Sequence, residues 1–132
     1  FGLKDYQQFL IIKKFFKEHN FQIKILGSPI IREEDGLAMS SRNNLLTPED
    51  RKIAPRIYEQ LTSIKNNINN KTHNELIINS IEAFKEDDIF PEYLSILNPE
   101  TLEDAGENDT SVLIAIAVKL GNVRLIDNIL IN

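Results

Sequence analysis

The sequence predicts an α+β fold: the closing edge of an α/β unit over residues 1–43, followed over residues 44–132 by two or three helices on a three-stranded antiparallel sheet. Three observations carry the prediction. A stretch of helical period near the start runs into an alternating, strand-like one. Two strong helix starts follow, at Thr47 and Thr72. The chain then ends in two apolar runs separated by Gly121-Asn122, a pair suited to a tight hairpin.

From Asp5 to Glu18 the apolar residues Tyr6, Phe9, Ile12 and Phe16 recur at three- and four-residue steps, with Lys13, Lys14 and Lys17 elsewhere on the wheel, which predicts an amphipathic helix. Asn20 closes it. Phe21, Ile23 and Ile25 alternate with Gln22 and Lys24 up to the stop at Gly27-Ser28-Pro29, the pattern of a strand. Ile30 to Asn44 has no period and reads as a long loop, a feature that in compact domains usually serves function.

Thr47-Pro48-Glu49-Asp50 supplies a hydroxyl cap, a proline at the first helical position and carboxylates at the positive end of the dipole. One helix is expected from there through Ile53, Ile57, Leu61, Ile64 and Ile68, fading in the asparagine-rich Asn66 to Asn70. Thr72 and Glu75 form a capping box for another, carrying Ile77, Ile81 and Phe84 and ending near Asp87-Asp88. The expected strands are Tyr93–Leu97, Val112–Val118 and Val123–Ile131, with Thr101–Asn108 an acidic connector or a single helical turn. Composition changes near Asn43, where a domain boundary is expected; the alternative is one domain with a long surface loop.

Fifteen Lys and Arg against 20 Asp and Glu, a net charge of -5, argue against general affinity for nucleic acid or anionic membrane. With no cysteine the chain has no disulfide, thiolate zinc site or cysteine nucleophile, which fits a reducing cytoplasm. No apolar run approaches the roughly 20 residues of a membrane span. The chain opens on Phe1 rather than Met and runs straight into organised sequence, so upstream residues are expected.

Two stretches suggest chemistry. Phe1 to Gln8, FGLKDYQQ, places Gly2, Lys4 and Asp5 at a helix start, where free N–H groups and a lysine attract phosphate and Asp5 can accept ribose hydroxyls or hold Mg²⁺. Gln8 falls on nearly the same helix face as Asp5. The plainer reading is that Asp5 caps the helix and Lys4 is solvated. In the second stretch, Met39, Ser40, Ser41 and Arg42 gather hydroxyls, backbone N–H groups and a guanidinium before a capped helix, an arrangement of donors suited to phosphate oxygens. Against this, serines in loops often bond locally to shape a turn. The two stretches flank one expected strand, and ligand crevices in open α/β sheets form outside strand carboxyl ends. His19 and His73 have no partners at ligand spacing and are expected to be exposed. Arg124 and Asp127, on opposite faces of the last strand, are expected to make structural pairings.

FGLKDYQQ, GSPIIREEDGLAMSSRNNLLTPEDR and IAIAVKLGNVRLIDN together resemble pantothenate synthetase, the pantoate–β-alanine ligase of coenzyme A biosynthesis, in order and at similar spacing across the whole chain. The resemblance implies ATP-dependent condensation of pantoate with β-alanine through a pantoyl adenylate, in a Rossmann-like nucleotidyltransferase domain followed by a smaller C-terminal domain that closes over the site. It implies ATP contacts from Gly2, Leu3, Lys4 and Asp5, from the Ile31 backbone to adenine, and from Met39, Ser40, Ser41 and Arg42 to the phosphates. Gln8 would bond pantoate, Mg²⁺ would accompany ATP, and the full-length protein would be a homodimer. Leu3 departs from the polar residue often found there, which a backbone contact tolerates. The family's first half, with its His-x-Gly-His segment, has no counterpart here, so the chain is expected to be an inactive C-terminal fragment. The competing readings are another adenylating synthetase or nucleotidyltransferase, and a non-catalytic interaction domain.

Overall fold

The computed structural model describes all of residues 1–132. A 3₁₀ turn at Leu3–Asp5 leads into α1 (Tyr6–Glu18), and a second at Ser41–Leu45 precedes α2 (Pro48–Ile53), α3 (Arg56–Asn67) and α4 (His73–Glu86). Strands β1 (Pro91–Leu97), β2 (Val112–Leu120) and β3 (Val123–Ile131) form one antiparallel sheet in the order β1-β2-β3.

The helix starts obey the expected chemistry. Thr47 accepts from the Asp50 N–H with Pro48 in the first turn, and Thr72 and Glu75 complete a reciprocal capping box. Asn20 and Asp88, just past α1 and α4, both take left-handed φ of 54°, a conformation that asparagine and aspartate tolerate better than most residues. The expected single helix from Pro48 is instead two. Pro55 carries no N–H to continue the ladder, so α2 stops at Ile53 and α3 begins at Arg56.

The hairpin joining β2 and β3 runs in unbroken register from Val112↔Ile131 to Leu120↔Val123, turning at Gly121 with φ 57°. One face of the sheet meets α3 and α4 in a core that includes Ile57, Leu61, Ile64, Phe84, Ile114, Ile116 and Val118. On the opposite face Leu113, Ala115 and Ala117 are also buried. A central strand covered on both faces explains why Val112–Val118 has no polar alternation.

Three further expectations change. Phe21–Ile25 forms no ladder and no bridge, the parallel bridge from Gly2 falling beyond it at Ser28, and Phe21 and Ile23 are exposed. An alternating segment becomes a strand only beside another strand, and this chain places none there. Thr101–Asn108 makes turns rather than a helical turn, with Leu102 at φ 59° and a bridge from Leu97 to Asp104. His73 is buried, not exposed, because the Glu107 carboxylate folds over the start of α4 and accepts the His73 backbone N–H at 3.0 and 3.2 Å. His19 is exposed, its ring 4.2 Å from that of Phe15.

Candidate functional site

Two adjoining clefts lie where the first 43 residues meet β3. The smaller, of about 290 Å³, is lined by Lys4, Asp5, Ser40, Arg42, Asn43 and Arg124 among others. The larger, of about 450 Å³, runs between the start of α1 and the outer sheet face, where Gln8, Tyr93, Ala115 and Asn128 contribute. Lys4, Asp5, Arg124 and Asp127 border both.

The wall formed by the first turn meets the loop wall directly, because the Lys4 ammonium donates to the Met39 carbonyl at 2.9 Å. Asp5 occupies the cap position of α1, yet its side chain makes no capping bond, so its carboxylate is free to face a ligand. Ser40 does make the local bond that shapes a turn: its Oγ accepts the Arg42 N–H at 3.2 Å. The hydroxyl proton is still available to donate. Arg42 is exposed and touches the sheet by one long bond, Nη1 to the Arg124 carbonyl at 3.3 Å. Asn43 holds the loop in place by donating to the Ala38 carbonyl at 3.0 Å.

Of the remaining candidates only Gln8 lines a cleft; Gly2, Leu3, Ile31, Met39 and Ser41 lie outside both linings. Gly2 and Leu3 are tied through their backbones to Ser28, the Leu3 N–H donating to the Ser28 carbonyl at 2.9 Å. Ile31 is exposed and its carbonyl accepts the Met39 N–H at 2.9 Å, while Met39 and Ser41 are exposed on the loop. Gln8 is exposed on the wall of the larger cleft.

Arg124 and Asp127 both pair, as expected. Arg124 Nε donates to Glu92 at 2.8 Å, and this carboxylate raises the guanidinium pKa. Asp127 is gripped by Arg32, Nη1 to Oδ2 at 2.6 Å and Nη2 to Oδ1 at 2.9 Å. Burial pushes the Asp127 carboxyl above its ordinary range, and the Arg32 guanidinium pulls it back. That bidentate geometry is the signature of a carboxylate paired with arginine, so we assign the ionised form. Burial, then the Glu100 charge, raises the Tyr6 phenol, which keeps its proton beside the larger cleft.

The loop has its own electrostatic clasp. Asp35 accepts from Arg51 at 2.7 Å and from the Leu37 N–H at 3.2 Å, and the Arg51 hydrogen bond is the main reason its carboxyl lies below the usual range. A depressed carboxyl pKa stabilises the fold above the unfolded value and loses that contribution as pH falls through the folded one. Asp35→Asn is therefore expected to cost less than about 1 kcal/mol at neutral pH, because the pair is largely exposed. The difference should shrink in urea titrations as pH falls below the unfolded carboxyl value of about 3.9; a difference that stays constant as pH falls would contradict the electrostatic account.

The family described as pantoate-beta-alanine ligase matches residues 1–130. The chain is 43% identical over 136 residues to the pantothenate synthetase of Acetivibrio thermocellus, covering 99% of this chain and 48% of that protein. It is 39% identical over 131 residues to that of Alcanivorax borkumensis, covering 98% and 46%. Among solved structures, pantothenate synthetase from Thermus thermophilus superposes with a TM-score of 0.91 at 36% identity, over 98% of this chain and 48% of that one. The pantoate-beta-alanine ligase of Francisella tularensis, complexed with beta-gamma ATP and beta-alanine, gives a TM-score of 0.67 at 33% identity over 98% and 41%. The chain thus spans about half the length of the relatives it matches. With its first 130 residues matched and its fold shared, this chain belongs to the pantoate-beta-alanine ligase family.

Proposed function

We propose that these residues form the phosphate-binding side of a pantothenate synthetase active site, in a protein of the relatives' full length. The observation that carries this reading is the convergence of Lys4, Asp5, Ser40 and Arg42 on one cleft, with Lys4 bonded across it to Met39. Gly2, Leu3 and Ile31 would serve through their backbones, Met39 and Ser41 as part of the loop, and Gln8 toward pantoate. The nucleotide in the Francisella tularensis relative supports ATP as the ligand class.

In the first step a pantoate carboxylate oxygen bonds to the α-phosphorus of ATP and the bond to the β-phosphate oxygen breaks, releasing pyrophosphate. Negative charge grows on the phosphoryl oxygens and the leaving group, where Lys4, Arg42 and the Ser40 hydroxyl can meet it. In the second step the β-alanine amine attacks the mixed anhydride, AMP departs with the electron pair of the carbon–oxygen bond, and the amine gives up a proton. That step depends mainly on positioning. No nucleophile from the protein is needed.

The residues suit Mg²⁺ carried on the phosphates rather than a protein cage, because no cluster of three metal-ligating side chains exists and Arg32 engages Asp127, leaving Asp5 as the available carboxylate. Bound there, the ion would neutralise phosphate charge. Residues 1–43 would belong to a Rossmann-like nucleotide domain and residues 44–132 to a domain that closes over it, in a cytoplasmic homodimer.

A protein of full family length carrying this sequence is expected to catalyse pantoate-dependent exchange between ATP and pyrophosphate, whereas these 132 residues alone should not. Exchange that responds only to a different acid would favour another synthetase. No exchange with any acid would favour an interaction domain.

A further inference from the structure

We propose that Asn128 is a positioning residue of the nucleotide site, its carboxamide setting the angle at which Lys4 and Asp5 enter the cleft; the proposal rests on the reading just given. Asn128 is 5% exposed, on the sheet face opposite the main core. Its Nδ2 donates to the Leu3 carbonyl at 2.8 Å and to the Lys4 carbonyl at 3.1 Å, across more than a hundred residues of sequence. Both acceptors lie in the 3₁₀ turn that carries Lys4 and Asp5. Across the ladder Asn128 faces Ala115, whose small side chain leaves room for the turn to approach the sheet.

Local sequence alone holds this turn weakly. Three residues make it, and no side chain caps it. The Lys4 ammonium reaches the loop only if the turn presents it at the correct angle, and displacements of about 1 Å at reacting groups can cost on the order of a hundredfold in rate. The neighbouring residue fixes the opposite wall. Asp127 accepts the Asn128 N–H at 2.7 Å and holds Arg32, which in turn donates to the Gly36 carbonyl at 3.1 Å within the loop. One dipeptide of β3 therefore sets the spacing of both walls. A residue serving only to fill the sheet face would be apolar like Ile126, whereas loss of this buried amide takes from the Leu3 and Lys4 carbonyls the side-chain donor that ties the turn to the sheet.

The test uses the full-length protein with Asn128→Ala and Asn128→Leu, the second keeping the side-chain volume should the first fold poorly. The KM for ATP in pantoate-dependent exchange is expected to rise about tenfold or more, the KM for β-alanine in the complete reaction to stay within about twofold, and amide hydrogen exchange at Leu3–Tyr6 to quicken while β2 and β3 stay protected. A role confined to stability would lower the active fraction and kcat without moving the KM for ATP. Such a result, or unchanged exchange at Leu3–Tyr6, overturns the inference. A parent protein without pantoate-dependent exchange overturns the functional reading, and this inference with it; a parent that passes while the variants keep its KM for ATP overturns this inference alone.

Discussion

Arg32→Met is expected to lower the unfolding free energy by about 3–5 kcal/mol at neutral pH, because it strands a buried carboxylate. The side chain of Asp127 is 3% exposed and that of Arg32 17%. The guanidinium also lies 3.8 Å from the centre of the Tyr58 ring and donates to the Gly36 and Asn128 carbonyls, so methionine recovers some packing and none of the hydrogen bonds. Without Arg32, burial acts on Asp127 with its main opponent gone, and the carboxyl titrates higher still. A folded pKa above the unfolded value of about 3.9 means the native state holds the proton more tightly. The deficit should therefore be smallest below about pH 4, where the lost hydrogen bonds and Tyr58 contact remain, and grow as pH rises through the folded pKa. Guanidinium titrations across that range measure it. The double variant Arg32→Met/Asp127→Leu should regain much of the loss, since a buried ion pair replaced by apolar residues of similar volume is often neutral. A single variant within about 0.5 kcal/mol of the parent at pH 7 would refute the assignment.

That pair also marks how far the sequence could be read. Signals that neighbours along the chain complete by themselves match the structure: the caps at Thr47 and Thr72, the turn at Gly121-Asn122, and the expected range of β3. The isoleucine period from Ile53 to Ile68 runs across Pro55 and predicts one helix, where the missing N–H makes two. Features made by partners distant in sequence left no such trace. Arg32 and Asp127 are 95 residues apart, so nothing near either one announces the other. His73 sits in a polar stretch, and only the fold brings Glu107 over it. Phe21–Ile25 has the alternation of a strand, yet pairing depends on a neighbour that local pattern cannot supply. For the candidate site, both walls stand out in the sequence as donor-rich stretches, whereas local pattern gives Arg124 only a structural pairing. Its place on both clefts depends on strand register and on the turn packed against the sheet.

Arg42→Ala should reduce kcat/KM for pantoate-dependent exchange by about 10²–10³ in the full-length protein while leaving stability within about 0.5 kcal/mol. The two effects separate because of where the side chain sits. Arg42 is exposed and forms one 3.3 Å bond to the Arg124 carbonyl, so the folded chain loses little when it is cut back. Its guanidinium borders the smaller cleft, where a planar fork of donors can span two phosphate oxygens as charge builds on them. Lysine in its place keeps the charge but not the fork, so Arg42→Lys should fall between alanine and the parent. Ser41→Ala should have a smaller effect, since a neutral hydroxyl contributes less than a charge-assisted bond. Exchange kinetics at saturating pantoate, paired with thermal unfolding of each variant, decide the matter: full activity in Arg42→Ala would remove that guanidinium from the phosphate site and leave Lys4 and the Ser40 hydroxyl to meet the charge.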